Sequence, residues 1–107
     1  EVAAKMQACA ESAGFSAVED FVGHGIGTEM HEEPRVPNFV SEELLANDIY
    51  LQEGMILAVE PMINMGGYAV HTLKDGWTVA TTDGGDSAHF EHQIRITDAE
   101  PEILTLD

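Results

Sequence analysis

The spacing of apolar positions predicts one helix followed by a series of strands. Val2, Met6, Cys9 and Ala13 recur at i, i+4, i+7 and i+11, which predicts a helix buried along that face. Gly14 is its expected C-terminal stop. No Ser, Thr, Asp or Asn precedes Val2 as a cap, and the periodic pattern is already running at the first residue. A helix that opens in mid-pattern predicts a chain cut from something longer. From Phe15 onward the period shortens towards two. Ser16 to Val22 alternates loosely and leads into Gly23 to Pro34, whose glycines, histidines and carboxylates are costly composition for an ordinary loop. Arg35 to Asn47 contains Pro37 and reads as loop with one short turn.

Glu53-Gly54 turns into a buried strand over Met55 to Ile63, and Gly66-Gly67 turns into Tyr68 to Leu73. Lys74-Asp75-Gly76 turns into Trp77 to Thr82, giving a hairpin. Asp83 to Asp86 is another loop, followed by strands at Ser87 to Thr97 and Glu102 to Leu106. The pattern holds no repeat, linker or low-complexity stretch. One N-terminal helix and several antiparallel strands make an α+β domain.

Composition narrows the function classes. The 107 residues fit one domain with a modest core, and 44% hydrophobic residues with a mean hydropathy of -0.09 describe a soluble globular chain. No apolar run approaches the roughly 18–20 residues that span a bilayer. The start, Glu1 to Lys5, lacks the basic and long apolar stretches of a signal peptide. The single cysteine, Cys9, excludes an internal disulfide and fits a reducing compartment, so a cytoplasmic location is the default. Twenty acidic residues against four basic ones give a net charge of -16, which speaks against nucleic-acid or anionic-membrane binding. The acids are spread along the chain as a solubilising surface, so only those in apolar surroundings are candidate ligands.

Two acids meet that condition. Glu60 lies mid-run between Val59 and Pro61, and the proline places it near a strand edge or irregularity. A carboxylate there is costly unless paired or bound to a cation, so it is either a satisfied structural group or a functional one. Glu91 shares a strand face with Gln93 and Arg95, opposite Phe90, His92, Ile94 and Ile96. That face is either solvated or part of a site. His24 sits between Gly23 and Gly25, where backbone can approach closely, as a structural histidine or a ligand. His31 follows seven residues later without the His-Glu-x-x-His spacing of a zincin helix. One histidine with two carboxylates suits Mn, Fe, Co or Zn better than Ca or Mg, and such a site suits hydrolysis. Nucleophilic catalysis has no support: Gly-x-Ser-x-Gly is absent and Cys9 falls on the expected buried helix face.

In combination these residues resemble type I methionine aminopeptidases. Gly23-His24-Gly25-Ile26-Gly27, Met30-His31-Glu32-Glu33-Pro34, Glu60-Pro61-Met62-Ile63-Asn64, Lys74-Asp75-Gly76-Trp77-Thr78 and Phe90-Glu91-His92 occur in that family's order across nearly the whole chain. The resemblance implies the C-terminal half of a pita-bread fold, built around two divalent metal ions. It implies that His24 and Glu60 bind one metal and that Glu91 bridges both. Glu60 is also the implied general base. His31 is implied to hydrogen-bond the substrate and stabilise the tetrahedral intermediate, and Met30 and Trp77 to line the pocket for an N-terminal methionine side chain.

The family's two aspartate ligands and a further assisting histidine belong to an N-terminal half that has no counterpart here. Gln93 stands where the family usually has threonine, and His89 where it often has glutamine. The expected function is therefore removal of N-terminal methionine from nascent proteins, with this chain supplying half of the dinuclear site and inactive alone. A complementary half or a second copy would complete it. The alternatives are a non-catalytic half that binds peptides or a partner, an inactive fragment, or a peptidase of the aminopeptidase P or prolidase type. The last usually continues Glu60-Pro61 with glycine and lacks the Lys74 to Trp77 signature.

Overall fold

Helix α1 (Val2–Ser12) ends in a Schellman motif, as Gly14 predicted. Gly14 takes φ +83°, its N–H donates to Glu11 O at 3.0 Å, and Phe15 N–H donates to Ala10 O at 3.0 Å. The computed structural model describes residues 1–107. The buried face of α1 is not the predicted one: Ala3 and Ala10 are buried, while Val2, Cys9 and Ala13 are exposed. Small side chains let the helix lie close to the rest of the fold, and Cys9 is a free, exposed thiol.

After α1 come the strands β1 (Ser16–Ala17), β2 (Gly23–Ile26) and β3 (Glu32–Val36). The predicted strand from Ser16 to Val22 is thus only two residues long, and the glycine-histidine segment is a hairpin rather than a loop. A bulge between His24 and Gly25 shifts its register, so His24 faces Arg35 while Gly25 faces Glu32. A second helix, α2 (Glu42–Ala46), replaces the predicted turn. Its N-cap Ser41 accepts from Leu44 N at 3.1 Å, and Glu42 and Glu43 sit in the first turn, where the helix dipole favours them.

The remaining strands are β4 (Ile56–Val59), β5 (Met62–Asn64), β6 (Val70–Thr72), β7 (Val79–Thr81), β8 (Ser87–His89), β9 (His92–Arg95) and β10 (Glu102–Ile103). They form three antiparallel sheets: β10-β9-β4-β2-β3, β1-β5-β8, and the hairpin β6-β7. Two predicted long strands are each broken in the middle. Met55 to Ile63 splits into β4 and β5 at Glu60-Pro61, and Ser87 to Thr97 splits into β8 and β9 at Phe90-Glu91. Because β4 pairs with β9 and β5 with β8, both breaks fall at one level, the seam between the two larger sheets. Phe90 N–H donates to Pro61 O at 3.3 Å across that seam.

Leu57, Ala58, Val36, Val18 and Ala17 form the centre of a small core with Ala3 and Ala10 of α1. No helix is long and apolar enough to cross a membrane.

Candidate metal centre

Strand register gathers the candidate ligands on one face of the five-stranded sheet. His24 lies opposite Ala58, and Ala58 lies opposite Gln93. Glu60 follows Ala58 by two residues and Glu91 precedes Gln93 by two, so period-2 alternation sends all three side chains to the same side. Their ligating atoms lie within 4.8 Å of one another. The break at each acid frees it from the ladder and turns it towards the seam. Glycine on both sides of His24 is a packing requirement. A Cβ at Gly23 would collide with the carbonyl oxygen of Ala58, and one at Gly25 with that of Glu33.

The hydrogen bonds around His24 fix its chemistry. Nδ1 is 2.9 Å from the carbonyl oxygen of Gly25, an acceptor only, so Nδ1 carries the proton and donates. In the neutral ring Nε2 then presents a lone pair, and it faces Glu60 Oε1 at 3.4 Å. The imidazolium would donate to Glu60 Oε1, whereas in the neutral form two lone-pair groups, with side chains only 15% and 13% exposed, point at each other. A shared cation relieves that repulsion, and Glu91 offers a further oxygen from the exposed side. One imidazole and two carboxylates therefore fit a divalent transition metal.

The other predicted residues take different positions. His31 lies on the bend between β2 and β3, exposed, with its ring centroid 4.1 Å from that of His24 and tilted by 38°. It flanks the donor set without belonging to it. Met30 and Trp77 are 73% and 88% exposed, so neither is a core residue. Trp77 rides on the β6-β7 turn, where its backbone N–H donates to Asp75 Oδ1 at 3.0 Å.

Two residues around Glu60 had no assigned part in the sequence reading. His89 Nε2 lies 3.1 Å from Glu60 Oε2. Its spacing of two from Glu91 on a strand was the available signal. Asn38, fully buried, directs Nδ2 to the Glu60 carbonyl at 3.5 Å, while its Oδ1 finds no protein partner. No periodic signal marked it. A cavity of about 570 Å³ lies on the opposite sheet face against Leu57, Val59 and Ile94, and touches none of the candidate ligands.

Residues 1–98 match Metallopeptidase family M24. The chain belongs to that family. Members of such a family use divalent metal, in keeping with the donor set at the seam. Among the similar M24 proteins, the methionine aminopeptidase of Clostridium perfringens is 52% identical over 106 residues, which is 99% of this chain and 41% of that protein. The methionine aminopeptidase of Escherichia coli is 46% identical over 106 residues, 99% of this chain and 39% of its own length. The crystal structure of methionine aminopeptidase from Thermotoga maritima superposes with a TM-score of 0.89 at 44% identity, covering 98% of this chain and 41% of that one. The chain thus spans about two fifths of the length of these relatives. Its α+β fold is the corresponding part of the pita-bread architecture.

Proposed function

We propose that this chain supplies half of a dinuclear metal site that removes the N-terminal methionine from nascent polypeptides in the cytoplasm. The observation that carries the reading is the convergence of His24, Glu60 and Glu91, whose ligating atoms lie within 4.8 Å of one another. His24, Glu60 and Glu91 would hold the metal, with Co, Mn, Fe and Zn all compatible with these donors. When bound, the metal polarises the scissile carbonyl and acidifies water.

The chain's own groups do the rest. Glu60, half-buried at the seam, accepts the proton of the attacking water. His31, exposed beside His24, donates to the substrate and to the oxygen that gains charge in the tetrahedral intermediate. Met30 and Trp77 stand open to solvent and receive the methionine side chain, a soft thioether against soft and flat apolar surfaces. The family's two aspartates would come from a complementary half, whereas a second copy would complete the site with other donors.

The test is release of methionine from a short Met-Ala peptide while Mn or Co is titrated in. The expected result is no release by the chain alone and metal-dependent release once the complementary half is added. Glu91→Ala should remove that activity. Release by the chain alone that Glu91→Ala abolishes would show the site to be completed here. A non-catalytic partner-binding half is the second reading, favoured by a donor set of only three residues with Glu91 exposed. Absence of release in both arms, with the two halves still associating, would select it.

A further inference from the structure

Glu60 must present one oxygen to the metal and is held at a break in its strand, where no ladder fixes its side chain. A free carboxylate there would rotate. The two oxygens are instead differentiated: Oε1 points to His24 Nε2 at 3.4 Å, and Oε2 meets His89 Nε2 at 3.1 Å. His24 Nδ1 donates to Gly25 O, so in the neutral ring that can bind a metal Nε2 carries no proton. His89 Nε2 has a carboxylate oxygen as its partner and so is the donor. His89 reaches this position because β8 pairs with β5 in a register that sets it opposite Met62, two residues past Glu60.

We infer that His89 is the positioning residue of Glu60: its Nε2–H holds Oε2 and thereby aims Oε1 at the metal. Histidine places its N–H donor on a rigid ring. Histidine side chains lose less freedom than a glutamine on ordering, so the carboxylate is held in one orientation. The donor set of His24, Glu60 and Glu91 is unchanged, since His89 addresses the oxygen on the other side of Glu60. The inference rests on the metal-centre reading for its consequence but not for the hydrogen bond itself.

The experiment has two arms on the 107-residue chain. The first is long-range ¹H–¹⁵N NMR of the histidine rings after metal removal. His89 Nε2 is expected to carry the proton, and Glu60→Gln is expected to shift its resonance. A His89 Nε2 without a proton, or one indifferent to Glu60→Gln, overturns the proposal whether or not the chain binds metal. The second arm is Mn(II) titration followed by water-proton relaxation. His89→Ala should weaken Mn(II) binding by about 10- to 100-fold, as loss of a partner behind a ligand typically does. His89→Gln, which keeps an N–H donor, should restore affinity to within about 3-fold of the parent on the same ground. Equal affinity in the parent and His89→Ala overturns the positioning role. Coupling of Mn(II) to a second imidazole ring in pulsed EPR, lost in His89→Gln, also overturns it by making His89 a ligand. If the parent takes up no Mn(II) while the Glu60-dependent resonance is present, the metal reading fails and the hold on Glu60 stands.

Discussion

Asp75 accepts hydrogen bonds from Thr78 Oγ1 at 2.6 Å, Thr78 N at 2.9 Å and Trp77 N at 3.0 Å. The Thr78 hydroxyl, then the two backbone N–H groups, hold its carboxyl below the ordinary value of 3.8. A carboxyl depressed in the folded state contributes stability that is present above its unfolded value. That contribution is lost as pH falls through the lower folded value. The β6-β7 turn should therefore loosen only below about pH 3.8, the ordinary value. Trp77 emission should change in that range, and Asp75→Ala should remove the transition while giving the loosened spectrum at neutral pH. Asp83 is held low in the same way, by the N–H groups of Gly85 and Gly67, so acid also releases the 83–86 loop. The residue types at these turns were legible because Asp-Gly sequences announce them. Glu60 and Glu91 were legible as acids out of place in apolar runs. His89 carried only the weak signals of its spacing from Glu91 and its departure from the family's motif, because its partner lies 29 residues away.

At the level of elements, β2 depends on two close backbone approaches. Gly25→Ala would drive a Cβ into the carbonyl of Glu33 in β3, and Gly23→Ala into that of Ala58 in β4. Both contacts are with backbone, which cannot rotate away. Each substitution should cost about 1–3 kcal/mol, the range for overpacking, measured by urea denaturation. Gly14→Ala meets no neighbouring atom but strains a φ of +83°, so it tests backbone conformation instead of packing. The elements missed from the sequence had weak local signals. Strand β3 reads Glu-Glu-Pro-Arg-Val, and its strand state comes from pairing with β2. Helix α2 is five residues long, too short for periodicity, although Ser41 followed by Glu42 and Glu43 is a capped helix start. The buried side of α1 is not the one that carries its larger apolar residues. The close approach selects the alanines.

For the whole molecule, charge and core size set the balance. Only 12 of 107 residues are buried, so the stabilising core is thin against a net charge of -16. The acids repel one another across the surface, and just two ion pairs join Arg to Glu, Arg35 with Glu43 and Arg95 with Glu102. The screening length falls from roughly 30 Å at 0.01 M salt to about 3 Å at 1 M. Raising KCl across that range should therefore raise the Tm, because relief of self-repulsion outweighs the loss of two exposed ion pairs. A Tm that falls with KCl in differential scanning calorimetry would contradict this balance.

The sequence by itself determined the period-2 strands, the helix stop at Gly14, the hairpin turns and two acids, Glu60 and Glu91, out of place among apolar residues. Each of these rests on interactions between near neighbours: φ freedom at glycine, turn hydrogen bonds, and the cost of a carboxylate among apolar residues. Tertiary structure decided where the strands break, which face α1 buries, that β3 is a strand, and that His89 meets Glu60. Those outcomes depend on pairing between segments tens of residues apart. Local spacing could mark Pro61 as an irregularity, but only the pairing of β4 with β9 and β5 with β8 turns two irregularities into one seam.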